Sequence, residues 1–392
     1  APSLFEVPDP QKSSAVSVDT SSIMASTLMG QILDPLFDPM HVDQDAKMER
    51  AFGSAAGGNT GAQGDDVRGF RRSSVFAMDW AGDKLLVATK DSPGIRLQDL
   101  ERGEEERTWQ GEWMCIRCDP NNPFLAAAVS WAGKFKLFDT RSASQSVFDV
   151  DLKKTSNTMK EFLVLCWSPD SKHIALNNRS DQIYLLNLRT AKGDNCLRLG
   201  ASKNMNTEVN QMVWTAEGDT LWIATGGTPG KIHVFPSQSL QSDSSAAVVA
   251  HQHATIALAA DPAGKYVASG GADCMVTLWD PKHLVCTRTF GYASAAVTNL
   301  SFNYNGSLLA WGTGTGEKNL TIVGADTGNL YWQDPTPAPV QQLRWHPKKN
   351  VLAYALNASQ MPEERDQYRD RGRGGRERET PLIHTLKVPD HL

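Results

Sequence analysis

The sequence predicts an all-β chain: a seven-bladed β-propeller preceded by a largely disordered N-terminal arm. Three observations predict it. A phrase of two apolar strands around a short polar turn occurs seven times, its anchor residues lie 38 to 49 residues apart, and residues 1–66 hold ten acidic but only three basic side chains among abundant Ser, Gly, Pro and Asp. A period of roughly 40–45 residues is the length of one four-stranded blade, and a segment so polar cannot bury a core of its own.

The seven copies run Phe76 to Lys90, Cys115 to Val129, Val164 to Leu176, Gln211 to Thr225, Leu258 to Gly270, Leu300 to Gly312 and Leu343 to Ala355, with anchors at Trp80, Cys118, Trp167, Trp214, Ala260, Phe302 and Trp345. Alternating apolar residues mark each strand, and Pro, Asp or Gly marks the turn between them. A third strand follows most copies and ends on an apolar residue near an Asp, as in Lys134 to Thr140, Gln182 to Leu188 and Met275 to Asp280. Trp279-Asp280 alone keeps the literal dipeptide of the WD40 repeat. Period rather than motif therefore carries the fold class. A single twisted sheet cannot bury both faces, but blades arranged radially cover one another.

The last copy has strands at Leu343 to Ala355 and Leu382 to Val388 and lacks a fourth. Residues 67–72 are expected to supply that outer strand, removing an open sheet edge. The domain reading is thus an acidic arm over 1–66 and a propeller over 67–392. Within the arm, Ile23, Met24, Leu28, Met29, Ile32 and Leu33 recur at helical spacing behind Thr20, Ser21 and Ser22 as caps, before Asp34-Pro35. This predicts a short amphipathic helix near 21–33, with Met24, Leu28 and Ile32 facing a partner or the chain's own propeller. An Arg-rich insertion at 357–380 interrupts the last blade. Its Arg-Gly run offers Arg369, Arg371, Arg373 and Arg376 as a weak RNA contact, but six Arg there face six Asp or Glu, which limits how many phosphates it can neutralise.

Charge and composition exclude several classes. With 39 basic against 44 acidic residues the net charge is -5, so no field draws the whole chain onto nucleic acid or anionic lipid. Six cysteines are too few for a disulfide framework, and no apolar run is long enough for a membrane span, which reads as a soluble, intracellular chain with no membrane partner. There is no P-loop, dinucleotide fingerprint, His-Glu-x-x-His or Gly-x-Ser-x-Gly, so no enzyme activity and no cofactor are expected. Cys115 and Cys118 have half the spacing of a zinc site, but they lie in a strand with no second pair behind them, so no metal is expected either.

Two groups remain. His251, Ser269 and Asp273 have the residue types of a hydrolase triad, yet with Trp279 they fall where a WD repeat places a hydrogen-bond network inside one blade, so a structural role is expected. Trp109 and Trp113 flank the passage from the first to the second blade, and Trp131 sits in a tight turn opening on the same face. Gathered aromatics of this kind are candidate interface anchors.

Asp261 to Phe290, Arg344 to Ala355 and Leu165 to Thr190 resemble the subunit 3 family of the THO complex, in its fungal form. The run Leu284 to Phe290 after Trp279-Asp280 is the most specific stretch of that resemblance. The resemblance implies a nuclear, non-catalytic subunit of the assembly coupling transcription to messenger RNA export. It also implies other THO subunits as partners, above all the large scaffold subunit, together with a DEAD-box RNA helicase. The alternatives are an RNA-binding module using the Arg-Gly insertion and a substrate receptor of a ubiquitin ligase.

Overall fold

The computed structural model describes a two-residue strand at Asp65–Asp66 and residues 74–389, apart from short stretches at 90–93, 103, 143–146, 155, 189–196, 238, 241–244, 315, 317 and 362–382. The arm, including Met24, Leu28 and Ile32, and the Arg-Gly run lie outside the described residues.

Strand β1 is Asp65–Asp66. The first blade is β2 to β5 (Val75–Ala81, Lys84–Thr89, Gly94–Asp99, Glu104–Gln110), and the second is β6 to β9 (Cys115–Cys118, Leu125–Val129, Lys134–Asp139, Phe148–Asp151). The third is β10 to β13 (Phe162–Trp167, His173–Asn178, Gln182–Leu188, Leu197–Asn204), and the fourth β14 to β17 (Val209–Trp214, Thr220–Thr225, Gly230–Pro236, Ala246–His251). The fifth is β18 to β21 (Thr255–Ala260, Val267–Gly271, Val276–Asp280, Val285–Phe290), and the sixth β22 to β25 (Val297–Phe302, Leu308–Thr313, Asn319–Gly324, Leu330–Pro335). The seventh comprises β26 to β28 (Val340–Trp345, Val351–Leu356, Ile383–Lys387), joined by β1. Every sheet is antiparallel with four strands.

Local chemistry explains the repeat. The Asp that ends the third strand accepts backbone N–H groups two or three residues on: Asp99 from Glu101 and Arg102, Asp139 from Arg141, and Asp280 from Lys282 and His283. The carboxylate thereby sets the turn to the fourth strand. At the turn between first and second strands, Gly264 and Gly306 adopt φ of 77° and 75°, a left-handed conformation that a side chain would strain.

The first strands form the inner ring. Each packs beside the first strand of the next blade, and β26 packs beside β2 to close the circle. The apolar core is accordingly distributed between blades: Val87 and Met78 of the first blade pack with Ala353 and Ile383 of the seventh, and Phe135 of the second with Phe162 and Tyr184 of the third. The closing seam is also polar. The Val75 N–H donates to Gln341 Oε1 (3.2 Å), the Gln342 amide to the Phe76 carbonyl (3.0 Å), and the Trp80 indole to the Arg344 carbonyl (3.1 Å).

The outer strand of the last blade does come from the N-terminal side. It lies at Asp65–Asp66, opposite Thr385 and His384, rather than at 67–72, which fall outside the described residues. Asp65 and Asp66 therefore belong with the sheet and not with the arm.

Candidate functional site

The hydrogen-bond chain does not stay inside one blade as expected: it links the outer strand of the fourth blade to the two central strands of the fifth. His251 ends β17, Ser269 lies in β19, Asp273 in the turn after it and Trp279 in β20. Trp279 Nε1 donates to Ser269 Oγ at 2.9 Å, Ser269 Oγ lies 2.8 Å from His251 Nε2, and His251 Nδ1 lies 2.9 Å from Asp273 Oδ1. One assignment of protons satisfies all three: the indole N–H to Ser269, the Ser269 hydroxyl to Nε2, and Nδ1–H to the carboxylate. Asp273 further accepts the N–H groups of Gln252 (2.9 Å) and Met275 (3.3 Å). Burial pulls the His251 pKa below the usual histidine value, against the opposing pull of Asp273, which keeps the ring neutral as this chain requires.

A hydrolase needs a serine whose oxygen can reach a substrate. Ser269 is 0% exposed and its oxygen already accepts from Trp279. Gly271 completes the local fit, because a Cβ there would overlap the side chains of His251 and Asp273.

The three tryptophans separate. Trp109 lies in β5 and Trp113 in the following connection, and both are buried against Phe138 with ring centroids 5.5 and 5.6 Å away. As interface anchors these two are corrected: their indoles fill the space between the first and second blades. Trp131 is 36% exposed in the turn between β7 and β8, with the Arg179 guanidinium over its ring at 6.0 Å. Lys153, Lys154 and Lys160 lie on the connection from the second blade to the third. Cys115 and Cys118 stand three residues apart in β6, on opposite faces of the sheet; Cys115 joins the cluster shared with the third blade and Cys118 that shared with the first.

Sequence reasoning missed the polar lining of the central channel, a cavity of about 530 Å³ bounded by all seven first strands. In six of them the register shifts around the second residue, at Phe76, Leu163, Asn210, Ile256, Thr298 and Gln341, and these six residues line the mouth. A bulge presents an extra side chain to the cavity. Side-chain amides staple the wall from blade to blade: Asn210 donates to the Thr255 carbonyl (2.9 Å) and Asn299 to the Gln341 carbonyl (3.0 Å). Asn357 and Gln360, where the Arg-rich insertion departs, belong to the rim. The residue just before each anchor marks a deeper level, occupied by Asp79, Arg117 and Arg344 in the first, second and seventh blades. A sequence signal existed: the residue preceding the anchor varies in polarity from copy to copy while the anchor stays apolar.

Among the described residues, no cluster of three or more His, Cys, Asp or Glu could hold a metal, and no helix is long and apolar enough to cross a membrane.

Known proteins agree with this architecture. The family model for the WD domain, G-beta repeat, matches residues 244–280, the stretch that contains the hydrogen-bond chain. Among solved structures, the Cps50 (Swd1) β-propeller domain of Myceliophteria thermophila superposes with a TM-score of 0.62 at 15% identity, covering 83% of this chain and 100% of that one. A chain of the mitotic checkpoint complex superposes with a TM-score of 0.64 at 16% identity, covering 86% and 94%. At such identities they show the fold alone. WD repeat-containing protein AAC3 of Dictyostelium discoideum is 28% identical over 186 residues, 45% of this chain and 37% of that protein. THO complex subunit 3 of Arabidopsis thaliana is 31% identical over 261 residues, 66% of this chain and 75% of the relative. That relative is a plant protein, so the fungal form expected from the sequence gains no support. A seven-bladed ring with that degree of identity across three quarters of the relative leads to one assignment: the chain belongs to the THO complex subunit 3 family of WD-repeat propellers.

Proposed function

We propose that the chain is a non-catalytic scaffold subunit of a THO-type assembly, acting in the nucleus to couple transcription to messenger RNA packaging and export. The observation that carries this reading is the 31% identity over 261 residues with a THO complex subunit 3. The hydrogen-bond chain supports it, because a serine sealed between an indole and an imidazole has no route to a substrate; its role is to tie the fourth blade to the fifth. Other THO subunits, above all the large scaffold subunit, are the proposed partners, with the DEAD-box helicase reached through the assembly.

The contact surface proposed for the scaffold is the face carrying Trp131, where an exposed indole beneath Arg179 adjoins Lys153, Lys154 and Lys160. Exposed aromatics next to Arg are favoured as anchors. Crosslinking mass spectrometry on the intact assembly tests this. The expected crosslinks to the scaffold come from Lys153, Lys154 and Lys160. Crosslinks confined to Lys265, Lys282 and Lys348, on turns of the opposite face, would overturn the assignment.

A further inference from the structure

The channel is lined by two guanidiniums, and neither forms an ion pair among the described residues. Arg117 on β6 and Arg344 on β26 stand on either side of β2, which contributes Asp79. Asp79 is already engaged: one oxygen accepts the Trp80 N–H at 2.9 Å and the other the Cys118 N–H at 2.8 Å. Arg117 Nη1 donates to the Ile116 carbonyl at 2.7 Å, and Arg344 Nη1 to the Leu343 carbonyl at 3.0 Å. Among the described residues, neither guanidinium has a carboxylate within 4.0 Å. Both half-buried side chains line the cavity, and each guanidinium carries five N–H donors. Nearby thiols do not compensate, since burial pushes the Cys118 and Cys166 pKa values up and keeps both neutral.

A desolvated charge without a counter-charge is costly, and an anionic ligand would relieve that cost. At half-buried Arg344, desolvation pushes the pKa down to about 10, with Arg117 adding repulsion and Asp79 opposing it; the group remains a cation at neutral pH. We propose that the floor of the channel is a binding site for a phosphate-bearing small molecule, held by Arg117 and Arg344. Two forks approaching from different blades suit a tetrahedral dianion, which offers oxygens in several directions, better than a planar carboxylate that one fork satisfies. A cavity of about 530 Å³ admits a small molecule, and Gln211 at the next level up adds an amide to the lining. This site is separate from the Trp131 face, so either proposal can fail without the other.

The test is isothermal titration of the full chain at pH 7 and physiological salt, with inorganic phosphate and with tripolyphosphate as probes. Saturable one-to-one binding of tripolyphosphate is expected, weakened at least tenfold in Arg117→Gln and in Arg344→Gln, and unchanged in the exposed Arg141→Gln. Replacing 362–380 with a Gly-Ser linker is expected to preserve the affinity. Absence of saturable binding, equal affinity in all variants, loss on replacing the insertion, or binding only of a phosphoserine peptide would each overturn the proposal. Thermal melting covers the case in which the glutamine variants fold poorly. Without ligand, Arg344→Met should melt above wild type, and it should gain no shift from tripolyphosphate. A lower melting point with the ligand shift retained would contradict the site.

Discussion

Changing Ser269→Ala removes one oxygen from the centre of the hydrogen-bond chain. The Trp279 indole N–H and the His251 Nε2 both lose their partner at positions 6% and 4% exposed, with no space for water at a residue that is itself 0% exposed. A net hydrogen bond is worth about 1 kcal/mol, and a buried group left without a partner costs about 1–3 kcal/mol. Two such groups give a loss of roughly 2–4 kcal/mol after partial relaxation. In a domain of this size each kcal/mol moves the midpoint by about 1.5 °C, so a fall of roughly 3–6 °C is expected. Circular dichroism melting at pH 7.5, with tryptophan fluorescence as a second probe, measures it. A melting point within about 1 °C of wild type would refute the reasoning, because the oxygen would then have been free of structural duty, as a nucleophile's is.

Three further outcomes follow from the same geometry. Gly271→Ala should destabilise at least as much as Ser269→Ala, and combining the two should cost less than the sum, since both displace His251; strict additivity in a melting double-mutant cycle would contradict the shared cause. His233, His251 and His346 all have pKa values lowered by burial, so the folded state binds fewer protons than the unfolded one. Stability is therefore full above the unfolded value of about 6.5 and declines as pH falls below it toward the depressed folded values. Urea midpoints should drop between pH 7 and 5, whereas a flat profile would show that these rings are not held neutral. Trp131→Ala should leave the melting point within about 1 °C, because the indole is exposed, yet weaken capture of the scaffold subunit at least tenfold in a pull-down.

The repeat was legible because strand alternation and turn chemistry are local: Asp99, Asp139 and Asp280 each bond within three residues, and the anchors recur at blade spacing. The Ser269, Asp273 and Trp279 part of the network was legible for the same reason, since these fall at fixed places around one hairpin, whereas the crossing of His251 from the fourth blade depends on how two sheets meet. Trp109 and Trp113 were not. Whether an indole near a turn meets water or Phe138 of the next blade depends on how two sheets pack, which no single copy encodes. The channel arginines escaped for a similar reason. Arg117 and Arg344 lie 227 positions apart in sequence, and only closure of the ring, through Gln341, Gln342 and Trp80, sets them on either side of the same strand. The position of β1 differed by a few residues from expectation because a two-residue strand leaves no periodic signal.

Membership of a protein-held assembly is the claim on which the functional reading rests. Native sedimentation of the tagged chain from nuclear extract, with and without RNase, measures it most directly. The account predicts that the chain sediments with THO subunits, far above its own 42.9 kDa, at fixed stoichiometry and unchanged by RNase. A chain that sediments alone, or one whose large form collapses when RNA is digested, would contradict it.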